Sequence, residues 1–212
     1  MSTTKFIFNR FQPLYQKNQV LDIKSRPDFF DILKGQHMFK YADYNFAYQN
    51  STPIVRNILD MCPVVQTIFP ISKNIKTLVD VKIHSLSEGE CPCIPGWHID
   101  GHPNPFKYDK SYYHLFLIGP EDTRTLFIDH PVELDVEEGN DEQLPNSYVE
   151  QLKNIPVKSI HLPENVWCSY TNTDFHSGPY FASKSDRLLV RVAQTTHILP
   201  RNVIVKKASS FK

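Results

Sequence analysis

The chain has 212 residues, 41% of them hydrophobic, and its 23 lysines and arginines are balanced by 23 aspartates and glutamates. This length suits a single domain that can bury a full hydrophobic core. The neutral balance of charge excludes a global electrostatic field that would steer the protein onto nucleic acid or an acidic membrane, although a local basic strip is compatible with it.

Cysteine usage and hydropathy favour an intracellular protein. The cysteines, at positions 62, 91, 93 and 168, are too few for a disulfide framework, which predicts reduced thiols. Cys91 and Cys93 have only Pro92 between them, so they lack the spacing of about two to four residues that is usual for zinc ligands. Since no apolar stretch is long enough for a signal peptide or a membrane span, we expect a cytoplasmic protein without membrane contact.

The first 70 residues predict a mixed region of helices and aromatic side chains. Residues 26–34 have a helical pattern, and Pro53 marks the start of a second helix. Apolar residues recur at helical spacing after Pro53, with a break or kink expected at Pro63. The aromatic residues of segment 41–48 are expected in the core or at a sheet edge rather than on a binding platform.

From residue 75 onward the sequence has a β pattern. Short runs of alternating, β-branched or aromatic residues are bounded by Pro, Gly, Asn or Asp, which is typical of strands. The predicted strands are residues 76–85, 96–101, 112–118, 124–129, 157–161, 166–170, 175–176 and 187–194. A surface insertion is expected at 133–154, with an acidic loop at 133–142 and one helix at 146–154.

This order of elements predicts a mainly β (α+β) fold in a single domain spanning residues 1–212. Eight short strands with one insertion suit a jelly roll, also called a double-stranded β-helix. The roll would span residues 75–196, with the N-terminal helices of residues 1–70 packed on one of its sheets. Residues 197–212 would form a basic tail.

The most informative motif is His98-Ile99-Asp100, which lies within the predicted strand 96–101. Side chains two residues apart leave the same face of a strand, so this imidazole and this carboxylate would point together. A histidine and a carboxylate are two thirds of the 2-His-1-carboxylate set, which binds Fe(II) on one face and leaves the other face open. The motif therefore predicts part of a non-heme iron site.

The third ligand would be a histidine that is distant in sequence. His176 is our choice, because Arg187 follows it by eleven residues and begins the last predicted strand. His161 is the alternative, although no arginine follows it at a useful spacing. A His-X-Asp motif, a distal His and an Arg at the start of the final strand resemble the Fe(II)/2-oxoglutarate-dependent oxygenase family. The resemblance covers residues 75–196 and leaves the first 70 unmatched.

The resemblance implies a role for each residue of the site. The ligands of Fe(II) would be His98, Asp100 and His176. Three further residues would bind the cosubstrate 2-oxoglutarate, namely Arg187, Arg191 and Thr125. Arg187 would meet the far carboxylate of the cosubstrate with a bidentate guanidinium. Arg191 lies four residues further along the same strand face and would bind the cosubstrate or another anionic group.

The activity that the resemblance implies is hydroxylation of a C–H bond in a small molecule, with release of succinate and CO₂ and without catalytic residues beyond the metal ligands. Halogenation is disfavoured, because halogenases of the family replace the carboxylate that Asp100 supplies here. His102 and His114 are candidates for facing the substrate. Their alternatives are a solvated loop position for His102 and a hydrogen-bonded core position for His114.

Other functions stay open at this point. A cupin-like metal-binding or sensor protein would use the same fold and metal without turnover, and a scaffold would keep the fold without the metal. An oxygenase could also act on a protein side chain or on a nucleobase, since Tyr41, Tyr44 and Tyr48 could stack on bases. The neutral net charge favours a small-molecule substrate over nucleic acid.

Overall fold

The computed structural model describes residues 3–11, 29–63, 75–92, 96–107 and 111–207. The helices are α1 (Phe29–Ile32), α2 (Tyr44–Gln49), α3 (Pro53–Asp60) and α4 (Leu144–Leu152). The strands are β1 (Thr3–Phe8), β2 (His37–Asp43), β3 (Lys76–Leu86), β4 (Tyr112–Ile118), β5 (Leu126–Ile128), β6 (Val132–Glu137), β7 (Ser159–His161), β8 (Trp167–Thr171), β9 (His176–Ser177), β10 (Ser185–Thr195) and β11 (Lys206–Lys207). These ranges are mainly β, as predicted, and their strands pair antiparallel.

The strands form two sheets and a separate strand pair. The large sheet has six strands in the order β11-β2-β3-β10-β4-β8, and the small sheet has three in the order β7-β5-β9. The separate pair is β1 and β6. The ring of Phe127 on β5 packs against the ring of Tyr170 on β8, with 5.0 Å between their centroids. The small sheet therefore faces the large one, as in a β-sandwich.

The two faces of the large sheet differ in chemistry, because its central strands alternate in polarity. On β3, Val79, Val81 and Ile83 lie on one face and are buried. Asp80 and Lys82 lie on the other face, since successive side chains of a strand point to opposite sides. The apolar face can be covered by helices, whereas the polar face needs partners of its own.

The N-terminal helices cover the apolar face of the large sheet, as predicted. Val55, Ile58 and Leu59 of α3 are buried in one cluster with side chains of β3, β4 and β10. The indole N–H of Trp167 on β8 donates to the carbonyl oxygen of Ile58 at 3.1 Å. Fully burying a Val, Leu or Ile side chain contributes about 1.5–3 kcal/mol, so this layer contributes strongly to the stability of the sheet.

One predicted strand is wrong, and it is the one that carries the motif. The other predicted strands are present, with ends shifted by at most two residues. In place of a strand at 96–101, an isolated bridge joins His98 to His176 on β9. Gly96 and Gly101 have φ values of 89° and 82°, which end the extended backbone on either side of the motif.

The acidic segment 133–142 is not a surface loop throughout. Val132, Leu134 and Val136 of β6 are buried, and the acidic residues between them point outward, so the charges cover one face of a strand that pairs with β1. The helix expected at 146–154 is α4, which buries Leu144, Tyr148 and Leu152. The insertion is therefore packed on a small core rather than solvated on all sides.

The first 70 residues contain strands that the sequence did not predict. β1 pairs with β6, and β2 joins the large sheet beside β3. Within the predicted helix 26–34, the described part is α1, which ends at Ile32, and residues 26–28 lie outside the described ranges. α3 ends at Asp60, before Pro63, and its expected continuation falls in residues 64–74, which are also outside the described ranges. In the tail, β11 pairs with β2, whereas residues 208–212 are not described.

The thiols agree with the expectation from composition. Cys91 and Cys168 are free thiols, Cys62 is buried in the core, and Cys93 lies outside the described residues. In the part of the chain that the structure describes, no helix has the length and apolarity needed to cross a membrane. The cytoplasmic location stays a prediction.

His114 lies on the face of β4 that the helices cover, because its neighbours Tyr113 and Leu115 point to the space between the sheets. It is 1% exposed, and its Nδ1 lies 2.7 Å from the Oγ of Ser169. The suggestion that His114 faces a substrate is therefore wrong, and the alternative of a hydrogen-bonded core histidine is correct.

We predict that the protein loses stability on acidification, in part through His114. Burial lowers the pKa of this imidazole from 6.5 to about 4, so between these values the unfolded chain binds a proton that the folded protein does not. Stability is then lost as the pH falls through the unfolded pKa, and this histidine accounts for about 2 kcal/mol of the loss between pH 7 and pH 5.

The variant His114→Asn, which keeps a polar atom near Ser169, isolates this contribution. Urea unfolding at pH 7 and at pH 5 should show a smaller difference for the variant than for the parent. An identical pH dependence in both proteins would contradict the assignment.

Candidate active site

A cavity of about 360 Å³ lies between the two sheets, and it brings together residues that are far apart in sequence. The three predicted metal ligands and the three predicted cosubstrate residues all line it: His98, Asp100, Thr125, His176, Arg187 and Arg191. The rest of the lining is Lys40, Tyr41, Lys82, Ile99, Gly101, Leu115, Tyr170 and Leu189. The large sheet contributes the cationic side chains, and the bridge between His98 and β9 contributes the histidines.

The two histidines are held together by their backbones. His98 and His176 exchange both N–H···O=C hydrogen bonds of a narrow antiparallel bridge, each at 2.9 Å. Their ring centroids are 4.4 Å apart, and His176 Nε2 lies 3.4 Å from Asp100 Oδ2. One pair of backbone hydrogen bonds therefore brings His98, Asp100 and His176 together, although the His98-Ile99-Asp100 motif is not part of a regular strand.

Gly101 allows the chain to turn sharply after the carboxylate. Its φ of 82° lies in the left-handed region, and a Cβ there would meet the Tyr113 hydroxyl at 2.7 Å. A larger residue at this position would be strained by its backbone conformation and by the contact with Tyr113. Glycine is thus the residue that lets Asp100 point into the cavity while the backbone leaves it.

Asp100 is ionised and largely shielded from solvent, with 13% of its side chain exposed. Its Oδ2 accepts hydrogen bonds from Arg191 Nη1 and from the Tyr170 hydroxyl, each at 2.5 Å. Burial raises the pKa of Asp100, but the Arg191 guanidinium and the other polar groups around the carboxylate lower it further, so the pKa lies well below its ordinary value. The carboxylate is therefore available as an anionic ligand at neutral pH.

Arg191 has partners that the sequence did not predict. Its Nε donates to Asp80 Oδ2 at 2.7 Å and its Nη1 donates to Asp100, so the guanidinium bridges two buried carboxylates. The rings of Tyr41 and Tyr113 each lie 5.5 Å from its central carbon, at a distance suited to cation–π contact. The prediction that Arg191 binds cosubstrate is therefore corrected: its donors are largely engaged with protein carboxylates.

Tyr41 is held in an unusual backbone conformation next to this ion-pair chain. Its φ is 53°, which is rare for an aromatic residue, and its N–H donates to Asp80 Oδ1 at 2.6 Å. The pairing of β2 with β3 shifts register at this position, as in a β-bulge. Backbone strain of this kind persists only where the surrounding structure imposes it. Here the strained backbone places the ring of Tyr41 in the wall of the cavity.

Arg187 and Thr125 both lie in the wall of the cavity, and their binding of a cosubstrate stays a prediction. Arg187 is 2% exposed, lines the cavity and donates from Nη1 to the carbonyl oxygen of Thr123 at 2.6 Å. Thr125 is also buried and lines the cavity just before β5. A buried guanidinium and a hydroxyl that line the same cavity can bind a carboxylate that enters it.

His161 and His102, whose roles the sequence left open, lie away from the three predicted metal ligands. His161 is exposed on β7 and does not line the cavity, so it is not the third ligand. His102 lines a second opening of about 470 Å³, which shares Tyr41 and Gly101 with the first. Its Nε2 lies 3.7 Å from Asp141. Whether His102 faces a substrate stays a prediction.

Three important residues in or behind the cavity wall were missed: Lys82 and Tyr170, which line the cavity, and Asp80, which pairs with Arg191. Asp80 and Lys82 could have been found from the sequence, because they alternate with valine and isoleucine in a strand whose apolar face is buried. Tyr170 had no such signal. Its hydroxyl reaches Asp100 across 70 positions of sequence, and only the packing of β8 brings the two together.

The donor chemistry of the cavity fits a divalent cation, although the arrangement is not a preformed metal site. Within the described ranges, no group of three or more His, Cys, Asp or Glu side chains is placed to hold a metal ion. In this arrangement Asp100 Oδ2 is engaged by Arg191 and Tyr170. Binding of a metal would require this carboxylate to share or exchange those partners.

The imidazoles, by contrast, are oriented as metal ligands are. Nδ1 of His98 lies 3.0 Å from the carbonyl oxygen of Gly96, and Nδ1 of His176 lies 3.2 Å from that of Asp174. Because a carbonyl only accepts, each Nδ1 carries the hydrogen and each Nε2 keeps a lone pair, which is the usual arrangement for metal-binding histidines. Burial lowers the pKa of His176 to about 4, so this ring is neutral at pH 7.

Comparisons with known proteins give no family for this chain. No protein-family model matches it, and no curated protein matches it. Among solved structures, the crystal structure of EvdO2 from Micromonospora carbonacea var. aurantiaca is similar over 68% of this chain, with 10% sequence identity and a TM-score of 0.39. The chain spans 60% of the length of that protein. The function must be argued from the cavity itself.

We predict that Asp80→Ala destabilises the protein by about 3 kcal/mol, because the variant leaves the buried Arg191 with one carboxylate in place of two and frees the N–H of Tyr41. The measurement is the free energy of unfolding in urea. The control is Glu133→Ala, which removes an exposed ion pair with Lys5 and should leave stability unchanged within error. Equal effects of the two substitutions would contradict the structural role of Asp80.

Proposed function

We propose that the protein is an Fe(II)- and 2-oxoglutarate-dependent oxygenase that hydroxylates a small molecule. The observation that carries the proposal is the meeting of two acceptors in the cavity. His176 Nε2, with its lone pair, lies 3.4 Å from the ionised Asp100 carboxylate, and the His98 ring lies beside both. Two lone pairs facing each other repel unless a proton donor or a cation lies between them. Arg191 and Tyr170 compensate Asp100 Oδ2, whereas the lone pair on Nε2 of a neutral His176 would be taken up by a divalent cation beside the carboxylate.

The order of the strands supports the jelly-roll form of the sandwich. Strands β3, β10, β4 and β8 are consecutive in the large sheet. Opposite them, the bridge at His98 extends the small sheet to a row of four: the His98 bridge, β9, β5 and β7. Two facing rows of four are expected for a double-stranded β-helix. The proposed ligands then come from adjacent members of one row, at the edge of the cavity.

The surrounding residues can assist such a reaction in definite ways. Bound Fe(II) would supply activation of O₂ coupled to oxidation of 2-oxoglutarate to succinate and CO₂. Arg187 would bind the far carboxylate of 2-oxoglutarate, with Thr125 beside it as a hydrogen-bond donor. Tyr170 and Arg191 would keep Asp100 ionised and fix its orientation. The burial of the cavity would exclude bulk water from the reacting groups.

A second candidate is a metal-free protein that binds an anionic small molecule. It is favoured by the ion pair between Asp100 and Arg191, which satisfies the carboxylate without a metal. In that case Arg187 alone would bind the ligand, and iron would not strengthen its binding. A metal-binding protein without turnover differs again, because it would bind iron and release no succinate.

We predict that His98→Ala, Asp100→Ala and His176→Ala each weaken Fe(II) binding by more than about 100-fold, because each removes one of three protein ligands. The measurement is anaerobic titration with Fe(II) and 2-oxoglutarate, followed by the visible charge-transfer band of the chelate. Asp100→Ala leaves Arg191 paired with Asp80, so we expect all three variants to fold, as circular dichroism would verify.

The control is His161→Ala, which changes an exposed histidine outside the cavity and should bind iron like the parent. Stoichiometric iron in His176→Ala, or no iron in the parent protein, would refute the metal assignment and leave the anion-binding candidate.

We predict that Arg187→Ala spares Fe(II) binding but weakens 2-oxoglutarate binding by about 30-fold to several thousand-fold, because the far carboxylate would be buried without its partner. Calorimetric titration of 2-oxoglutarate onto the iron-loaded protein measures the effect. The matched control is Arg201→Ala, an exposed arginine of the second opening, which should leave the affinity unchanged. If Arg187→Ala binds 2-oxoglutarate like the parent, the cosubstrate assignment fails.

A further inference from the structure

Two lysines, Lys40 and Lys82, line the cavity. Lys82 lies on β3 between Asp80 and His84, on the polar face of the sheet, and is directly opposite Leu189 of β10. Lys40 lies on β2 at the rim of the cavity, where it is exposed. Among the described residues, neither lysine forms an ion pair with a carboxylate.

The cavity wall therefore has an excess of positive charge. Its cations are Lys40, Lys82, Arg187 and Arg191, whereas Asp100 is the one acidic residue in the lining. Arg191 is neutralised by Asp100 and by Asp80 behind it. Asp80 and Asp100 together offset two of the four cations, and Arg187 is assigned to the cosubstrate, so one positive charge at the lysines is left for another ligand.

Keeping the charged ammonium group of Lys82 partly buried costs free energy in the folded protein. Lys82 is partly buried, and desolvation lowers the pKa of its ammonium group, whereas the nearby Asp80 carboxylate raises that pKa by a smaller amount. A bound anion would compensate that charge and relieve the cost. Lys40 lies 5.9 Å from the ring of Tyr41, the residue whose strained backbone turns its ring to the same wall.

We propose that Lys82, with Lys40 at the rim, binds the oxyanion group of a small anionic substrate. The description of this ligand as a substrate rests on the proposed function, whereas the anion site rests on the two lysines and the cavity. A lysine ammonium is a compact point charge that suits phosphate, sulfonate or carboxylate oxygens. Leu115 and Leu189 offer an apolar wall for the carbon skeleton.

The size of the cavity selects a small molecule over a polymer. Its volume of about 360 Å³ is at the lower end of the usual range for small-molecule sites. The chain has no net positive charge that would hold a nucleic acid at this opening. The oxyanion therefore belongs to a metabolite-sized ligand that enters beside Tyr41 and Lys40.

The test is titration of three simple anions, namely inorganic phosphate, methanesulfonate and acetate, into the protein loaded anaerobically with Fe(II) and 2-oxoglutarate, and into the protein alone. Four proteins are compared by calorimetry: the parent, Lys82→Met, Lys82→Arg and Lys76→Met. Lys82→Met keeps the length of the side chain without its charge, and Lys82→Arg restores the charge. Lys76 lies on the same strand but outside the cavity, so Lys76→Met is the matched control.

We expect at least one anion to bind the loaded parent protein, and the order of the three affinities identifies the preferred oxyanion. Lys82→Met should weaken that binding by about tenfold or more, whereas Lys82→Arg and Lys76→Met should stay within about twofold of the parent. This pattern would support the proposal.

Three results would overturn it: no binding of any of the anions, parent-like binding by Lys82→Met, or displacement of the anion by 2-oxoglutarate. Displacement would place Lys82 in the cosubstrate site and leave the proposed function intact. If instead 2-oxoglutarate fails to bind while an anion binds in a Lys82-dependent way, the anion site stands and the proposed function fails.

Discussion

The buried chain of charges from Asp80 through Arg191 to Asp100 is the interaction on which the rest of the site depends. It joins the central strands β3 and β10 to the turn that follows the His98 bridge. Separating these charges from water is costly, and the cost is offset only because each carboxylate meets the guanidinium at hydrogen-bond distance. The same Asp80 accepts the N–H of Tyr41, so the strained backbone of that residue is held by the network that orients Asp100.

This network requires a sheet with two different faces. One face of the large sheet is apolar and is covered by α1, α2 and α3, which supply the packing that stabilises the domain. The other face is free to carry charged and aromatic side chains, because the small sheet closes over it and shields them from water. The cavity is therefore possible where it is because the hydrophobic core lies largely on the opposite side of the same strands.

The local sequence pattern was enough to predict an element when its own residues carried the signal of a strand or a helix. β4 has the predicted bounds, 112–118, because a run of aromatic and aliphatic residues between polar flanks suits a buried central strand. α3 begins at Pro53 as predicted, since proline is favoured in the first turn of a helix. β6 was missed because its acidic residues dominate the composition, while the alternating Val132, Leu134 and Val136 carry the structural information. The bridge at His98 could not be predicted from the local sequence. It is formed by two backbone hydrogen bonds to His176 on β9, and no propensity of the residues around His98 favours it.

For the site, the sequence by itself determined the chemistry of the side chains and their approximate grouping. The spacing within His98-Ile99-Asp100 and between His176 and Arg187, together with the family resemblance that added Thr125 and Arg191, named six residues that line one cavity. The tertiary structure alone decided which of them contact each other. Arg191 pairs with Asp100 across 91 positions of sequence, and Tyr170 reaches the same oxygen across 70. Such partners depend on the register and packing of strands that are adjacent in space but not in sequence, and residue spacing along the chain contains no information about them.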